Sequence, residues 1–287
     1  MPLEKTIIIL GPTATGKTKF SIKLAEESNG EIISADSMQV YRGMDIGTAK
    51  PPLEERKNIP HHLIDIINPD EEWTVSDFIA STKKIIPEII VRGKTPLIVG
   101  GTGLYLWALI NGFSFPIVSG NEKIRENLEK LTIEELYTKL NSVDKQSAEK
   151  IHQNDRKRII RALEVYELTG SPITQMQKMK KSDTTETANI IGLNLSREQL
   201  YEKINRRADN MIKKGLIDEV EGLLAKGYSK NLRSFQALGY KEVVEYLEGR
   251  WTKEEMIEEL KKRTRNFARR QMTWFKRFKN VKWESPE

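Results

Sequence analysis

A short apolar run, "TIIIL" (Thr6 to Leu10), opens directly onto "GPTATGKT", residues Gly11 to Thr18. That octapeptide fits G-x-x-x-x-G-K-[ST], a loop whose glycines let successive backbone N–H groups curl around one anion. The motif works only between a buried strand and the start of a helix, because the positive helix end completes the anion site. Both flanks are present. The run is short, β-branched and bounded by Gly11, which predicts a buried strand. A helical stretch follows from Lys17 and meets a stop signal, "SNG", at Ser28 to Gly30. "EIISA" (Glu31 to Ala35) then predicts a second strand.

The same alternation continues. Helical periodicity spans Trp73 to Val91 with Gly93 as a cap, and "TPLIV" (Thr95 to Val99) leads into a second glycine-rich turn, Gly100 to Gly103. Strands separated by helices imply a mostly parallel sheet covered on both faces. Past Pro116 the pattern changes. Thr132 and Glu135 form a capping-box pair, Ser171–Pro172 starts a helix, and no strand stands out from 115 to 186. The polar stretch Lys181 to Thr187 closes this segment. Strand character returns over Ala188 to Leu195, a helix starts at Ser196/Gln199, and "NVKWE" (Asn280 to Glu284) predicts a last strand. The expected fold is α/β: a P-loop NTPase-like, mostly parallel sheet flanked by helices, with an all-helical insertion domain. Residues 1–114 form the first part of the core, 115–186 the insertion, and 187–287 the second part with basic C-terminal helices.

Composition narrows the function classes. The 287 residues include no cysteine, which excludes disulfides and thiolate-ligated zinc and suits a reducing compartment. No signal-peptide pattern and no run of about 18 apolar residues occurs, so a cytoplasmic protein with no membrane partner is expected. Net charge is only +6, but Lys261 to Lys279 contains no acidic residue, and Phe267, Trp274, Phe275 and Phe278 interleave with its basic ones. Such a stripe suits either a polyanion or a solvated helix face with aromatics on the core. His61 and His62 are adjacent, point in different directions and do not readily share a metal.

Within the loop, Lys17 brings a full charge to the outer phosphate and the Thr18 hydroxyl suits Mg²⁺. Nucleotide hydrolysis is less well supported. Such enzymes place a strand-end Asp on the metal, whereas Thr95 to Val99 ends in "GGTG", and no N-K-x-D motif is present. Only "EIISAD" ends in an acid, Asp36. At the carboxyl end of its strand, Asp36 and the turn residue Thr102 both face the crevice where open α/β sheets bind ligands. Asp36 suits a metal ligand, a general base or a helix cap. In "NDRKRIIRALEV" (Asn154 to Val165), Arg158 and Arg161 share a helix face, as an amphipathic helix or as a surface for phosphates.

The stretches "GPTATGKT", "ADSMQVYRGMDIGTAKP" (Ala35 to Pro51), "GGTGLY", "NDRKRIIRALEV", "LGYKE" (Leu238 to Glu242) and "ARRQMTWF" (Ala268 to Phe275) occur in one order along nearly the whole chain. In these the chain resembles the tRNA dimethylallyltransferases, in their shorter bacterial form, with Thr15 where serine is commoner. The resemblance implies transfer of a dimethylallyl group from dimethylallyl diphosphate to the N6 amine of adenosine 37 in tRNA, releasing diphosphate, by a monomer using Mg²⁺. It implies catalytic roles for Asp36, Thr102, Lys17 and Arg207. Diphosphate would bind Gly11, Pro12, Thr13, Ala14, Thr15, Gly16, Lys17 and Thr18, with Thr18 on the metal. The tRNA anticodon stem-loop would contact Asp36, Ser37, Met38, Gln39, Thr102, Arg125, Lys157, Arg158, Ile159, Ile160, Arg161, Gln236, Ala237, Leu238, Gly239, Tyr240 and Lys241.

Three rivals share parts of this pattern. A small-molecule or nucleotide kinase also uses a phosphate loop, and would bind and consume ATP. Prenyl transfer to free AMP leaves the basic segments without a purpose. A non-catalytic RNA-binding module leaves the pairing of Lys17 with Asp36 unexplained.

Overall fold

The computed structural model describes residues 3–112, 120–176 and 188–286. Six strands form one parallel sheet: β1 (Ile7–Leu10), β2 (Gly30–Ser34), β3 (His61–His62), β4 (Thr95–Gly100), β5 (Asn189–Leu193) and β6 (Val281–Glu284), in the order β3-β2-β4-β1-β5-β6. β1 lies inside the sheet, with Ile8 opposite Ile98 of β4 on one side and Ile190 of β5 on the other. Parallel strands covered on both faces should be apolar throughout, and Ile8, Ile9, Leu10, Ile33, Leu97 and Ile98 are all buried.

The chain divides into two compact units, one of Met1–Ile110 with Asp183–Glu287, the other Asn111–Ser182. In the first, the sheet carries α1 (Lys17–Glu27), α2 (Val75–Val91) and α3 (Gly103–Ile110). Ile22 and Ala25 of α1 pack on Ile9, Ile32, Leu97 and Val99 of the sheet. The second unit comprises α4 (Glu122–Glu129), α5 (Ile133–Val143), α6 (Lys145–Lys150), α7 (Arg156–Thr169) and α8 (Ile173–Met176). Its own core joins Leu128, Leu136, Leu140 and Leu163. The Thr132/Glu135 box caps α5 as its spacing predicts. The first unit resumes with α9 (Arg197–Lys213), α10 (Leu216–Ala225), α11 (Tyr240–Leu247) and α12 (Lys253–Phe275). The polar stretch Lys181 to Thr187 lies outside the described residues.

β3 is the element that sequence periodicity does not signal, since two residues show no alternation. Its histidines have partners in the protein: His61 Nδ1 lies 2.8 Å from the Ile59 carbonyl and His62 Nε2 2.7 Å from Glu31. Glu31 is buried, and Arg92, His62 and Lys94 around it hold its carboxyl down to about 2, outweighing the opposing cost of burial.

The basic C-terminal segment divides its aromatics between core and cavity. Phe275 is fully buried, Phe278 packs on it at a tilt with ring centroids 6.2 Å apart, and Trp274 packs edge-on against Trp107. Phe267 is half-buried. Among the described residues no helix is long and apolar enough to cross a membrane.

Candidate active site

The carboxyl ends of β1, β2 and β4 meet along one edge of the sheet, and each leads into a loop carrying a candidate functional residue. Close approach of β2 and β4 depends on Gly100, where a Cβ would lie 2.2 Å from the Ala35 carbonyl oxygen. With that space free, the Thr102 N–H donates to Ala35 at 3.3 Å, and the Thr102 hydroxyl accepts from Ser37 N–H at 3.1 Å. Asp36 and Thr102 are thereby fixed side by side. Asp36 accepts from Met38 N–H through Oδ1 at 2.9 Å, a local turn that directs the carboxylate. Both side chains border a cavity of about 1270 Å³ that Lys17, Arg207, Phe267 and Arg270 also line.

The phosphate loop is built by its own hydroxyl. Buried Thr15 donates to the Pro12 carbonyl at 2.8 Å, and Lys17 Nζ donates to the same oxygen at 2.9 Å. Ala14 and Gly16 take left-handed backbone angles, φ +65° and +89°. Among the described residues the N–H groups of Ala14 to Thr18 donate to no protein acceptor, which leaves a concave row of donors at the start of α1.

Two cations face this row. Burial and the neighbouring Arg207 charge lower the Lys17 ammonium from 10.5 to about 8, against the pull of Asp36. Arg207 is likewise lowered by burial, with Asp36 opposing, and makes no hydrogen bond or ion pair among the described residues. Two cations held close together and partly out of water are unfavourable unless an anion joins them. Asp36 alone supplies one negative charge, so the arrangement suits a multiply charged ligand.

The sequence pattern of the IPP transferase family matches residues 39–278, and that of isopentenyl transferases matches residues 4–65. This chain belongs to the IPP transferase family. It is 51% identical over 284 residues to the tRNA dimethylallyltransferase of Caldanaerobacter subterraneus subsp. tengcongensis, covering 96% of this chain and 90% of that protein. Among solved structures it is similar to the tRNA isopentenylpyrophosphate transferase of Bacillus halodurans, at 46% identity, with 98% of this chain and 89% of that one covered and a TM-score of 0.72. A eukaryotic dimethylallyltransferase acting on tRNA aligns at 32% identity over 97% of this chain and 73% of its own, with a TM-score of 0.80.

Within this family member, the residues expected at an RNA surface differ widely in exposure. Ile159 and Ile160 sit in the core of the helical unit, and Ala237 and Tyr240 are buried in the first unit, Ala237 also lining the cavity. Their apolar character already favours the interior. Arg125 and Arg161 converge on Glu164, a fully buried carboxylate, at 2.7 and 2.5 Å. The single carboxylate offsets one of the two charges, and both arginines stay partly exposed, at 44% and 37%. Lys157, Arg158 and Gln236 are exposed; Ser37, Met38, Gln39, Leu238 and Lys241 are half-buried, and Gly239 is buried.

Sequence reasoning missed three supporting residues. Lys50, 2% exposed at its side chain, ties Asp45 and Asp65 together at 2.7 and 2.5 Å and donates to the Tyr41 carbonyl. Glu219 of α10 accepts from the N–H groups of Asp45, Ile46 and Gly47 and from the Tyr240 hydroxyl. Gln271 of α12 bridges the two glycine-rich turns. Glu219 and Gln271 act on loops far away in sequence and Lys50 on its own loop, and no local pattern marks any of them.

Proposed function

We propose that this chain transfers the dimethylallyl group of dimethylallyl diphosphate to the exocyclic N6 amine of adenosine 37, beside the anticodon of tRNA. The observation that carries this reading is the facing pair across one cavity. Unpaired N–H donors, Lys17 and Arg207 lie on one side, and a strand-end carboxylate with its hydroxyl neighbour on the other. An adenine amine is a weak nucleophile because its lone pair is delocalised into the ring. As N6 attacks C1 of the dimethylallyl group, the C1–O bond to diphosphate breaks and the amine proton passes to Asp36. Thr102, whose oxygen accepts from the Ser37 N–H at 3.1 Å, donates its own proton to the Ser37 hydroxyl only over a long 3.5 Å and would turn it to orient the acceptor. Charge gathers on the departing diphosphate, where the N–H groups of Ala14 to Thr18 and the two cations stabilise it without rearranging.

Mg²⁺ fits this donor set modestly. Among the described residues no group of three carboxylate or histidine ligands gathers. A cation that keeps several waters and binds phosphate oxygens needs few protein ligands. The Thr18 hydroxyl at the start of α1 would hold it, and the ion would add further charge neutralisation at the leaving group.

Adenosine 37 is stacked in the anticodon loop and must swing out to reach Asp36. The half-buried segment Asp36 to Gln39, with Gln236 and Lys241, suits the extruded base and its neighbours, and Lys157 and Arg158 suit the RNA backbone. Family membership turns aside the kinase alternative. Incubating the protein with labelled dimethylallyl diphosphate, Mg²⁺ and unmodified tRNA, without ATP, tests the reading. Label should enter RNA; a strict requirement for ATP would reinstate a kinase.

A further inference from the structure

Gln271 is 5% exposed and projects from α12 between the two glycine-rich turns. Its Oε1 accepts from the Thr13 N–H at 2.8 Å, and its Nε2 donates to the Gly101 carbonyl at 2.9 Å. A buried amide costs stability unless both ends are bonded. Here both are. A side chain at Gly101 would have to displace this amide, since a Cβ would stand 2.3 Å from Nε2.

The helix behind Gln271 is anchored on both sides of it. Ala268, one turn earlier, is fully buried against Leu200 and Ile204 of α9, with Ala14 of the phosphate loop packed on the same cluster. Trp274, one turn later, closes over Gly103, where a Cβ would lie 2.6 Å from its own Cβ. Residues three apart share a helix face, so one face of α12 touches the phosphate loop, Gly101 and Gly103 in succession, with Thr102 between the last two. The Thr13 N–H is meanwhile committed to Gln271, and the row of free donors begins at Ala14.

We propose that Gln271 is a positioning residue that sets the gap between the departing diphosphate and the acceptor amine. It ties the loop that grips one to the turn that orients the other. The proposal rests on the transferase reading. Both polar ends of Gln271 are taken by the two loops, and it acts through them. A misplacement of about 1 Å in such a gap costs about a hundredfold in rate while leaving each ligand's own interactions intact.

Gln271→Met keeps the volume and removes both hydrogen bonds; Gln271→Glu keeps an acceptor for Thr13 but loses the donor to Gly101. Single-turnover transfer, separate affinities for dimethylallyl diphosphate and tRNA, and hydrogen exchange at the Thr13 amide are measured in each. For Gln271→Met, transfer should fall by about 30-fold or more with both affinities within about threefold, a rate effect without a binding effect. Thr13 exchange should accelerate in Gln271→Met and stay slow in Gln271→Glu. Transfer within about threefold of the parent, or a loss matched by weaker diphosphate binding, would overturn the positioning role. Unchanged Thr13 exchange in Gln271→Met would overturn the strut itself. Failure of the parent protein to transfer label refutes the transferase reading instead, and the exchange measurement stands apart from it.

Discussion

Raising the pH should weaken dimethylallyl diphosphate binding, and the structure sets where and by how much. Lys17 holds its proton only up to about pH 8 in the folded protein, against 10.5 ordinarily, because burial and the Arg207 charge both disfavour the ammonium. The negative charge of a bound diphosphate offsets both effects, so the liganded ammonium keeps its proton to higher pH. At pH 7 the free protein is already charged at Lys17; at pH 9 only about one molecule in eleven is, and affinity falls about tenfold, or about 1.4 kcal/mol. Calorimetric titration from pH 6.5 to 9.5 without RNA measures this directly. Lys17→Arg supplies a charge that does not titrate and should flatten the decline, which also separates it from ionisation of the ligand. Linkage gives an opposite sign for stability. Between pH 8 and 10.5 the unfolded chain binds the proton that the fold repels, so the ligand-free protein gains up to about 3 kcal/mol as pH rises through that window. Saturating diphosphate should abolish the gain. Affinity that stays level to pH 9.5, or falls equally in Lys17→Arg, would refute the assignment of Lys17 to the anion.

Glu219→Ala leaves three loop N–H groups and the Tyr240 hydroxyl without their acceptor. Denaturant titration should show a loss of about 2–4 kcal/mol, and Glu219→Gln, which keeps an acceptor, should lose less than half of that. Lys157→Glu with Arg158→Glu should weaken tRNA binding, measured by filter binding. The slope of log affinity against log salt should drop by about one for each phosphate that is no longer neutralised. Diphosphate affinity should not change in that double variant.

Much of the fold is legible because its signals are local. β1, the phosphate loop and α1 follow from adjacent residues, and the capping boxes at Thr132 and Ser196 lie where their three-residue spacing puts them. The resemblance to tRNA dimethylallyltransferases, carried by stretches such as "YRGMDIGTAKP", is borne out by the family match and by relatives that cover nearly the whole chain. What stays hidden is tertiary. Gln271 and Gly101 lie 170 positions apart and Glu219 and Asp45 174 apart, and both pairs exist only once the sheet has formed. The basic–aromatic tail reads ambiguously because the same residue types serve a core and an RNA surface. Burial sends Phe275 inward, while Phe267 borders the cavity beneath Arg270, 5.8 Å from its ring centre. Arg125 and Arg161 look like surface cations in the sequence, and only the fold shows that both also hold the buried Glu164 carboxylate.

The division of labour across the cavity is tested most directly by Asp36→Asn, with single-turnover transfer of labelled dimethylallyl to tRNA measured beside the affinities for both substrates. Asparagine preserves the acceptor for Met38 N–H but takes up no proton. Transfer should fall by about a hundredfold or more, within the range of general-base contributions, while both affinities stay within about threefold of the parent. Near-normal transfer by Asp36→Asn would contradict the account, leaving the phosphate loop with its leaving group but the acceptor amine without its base.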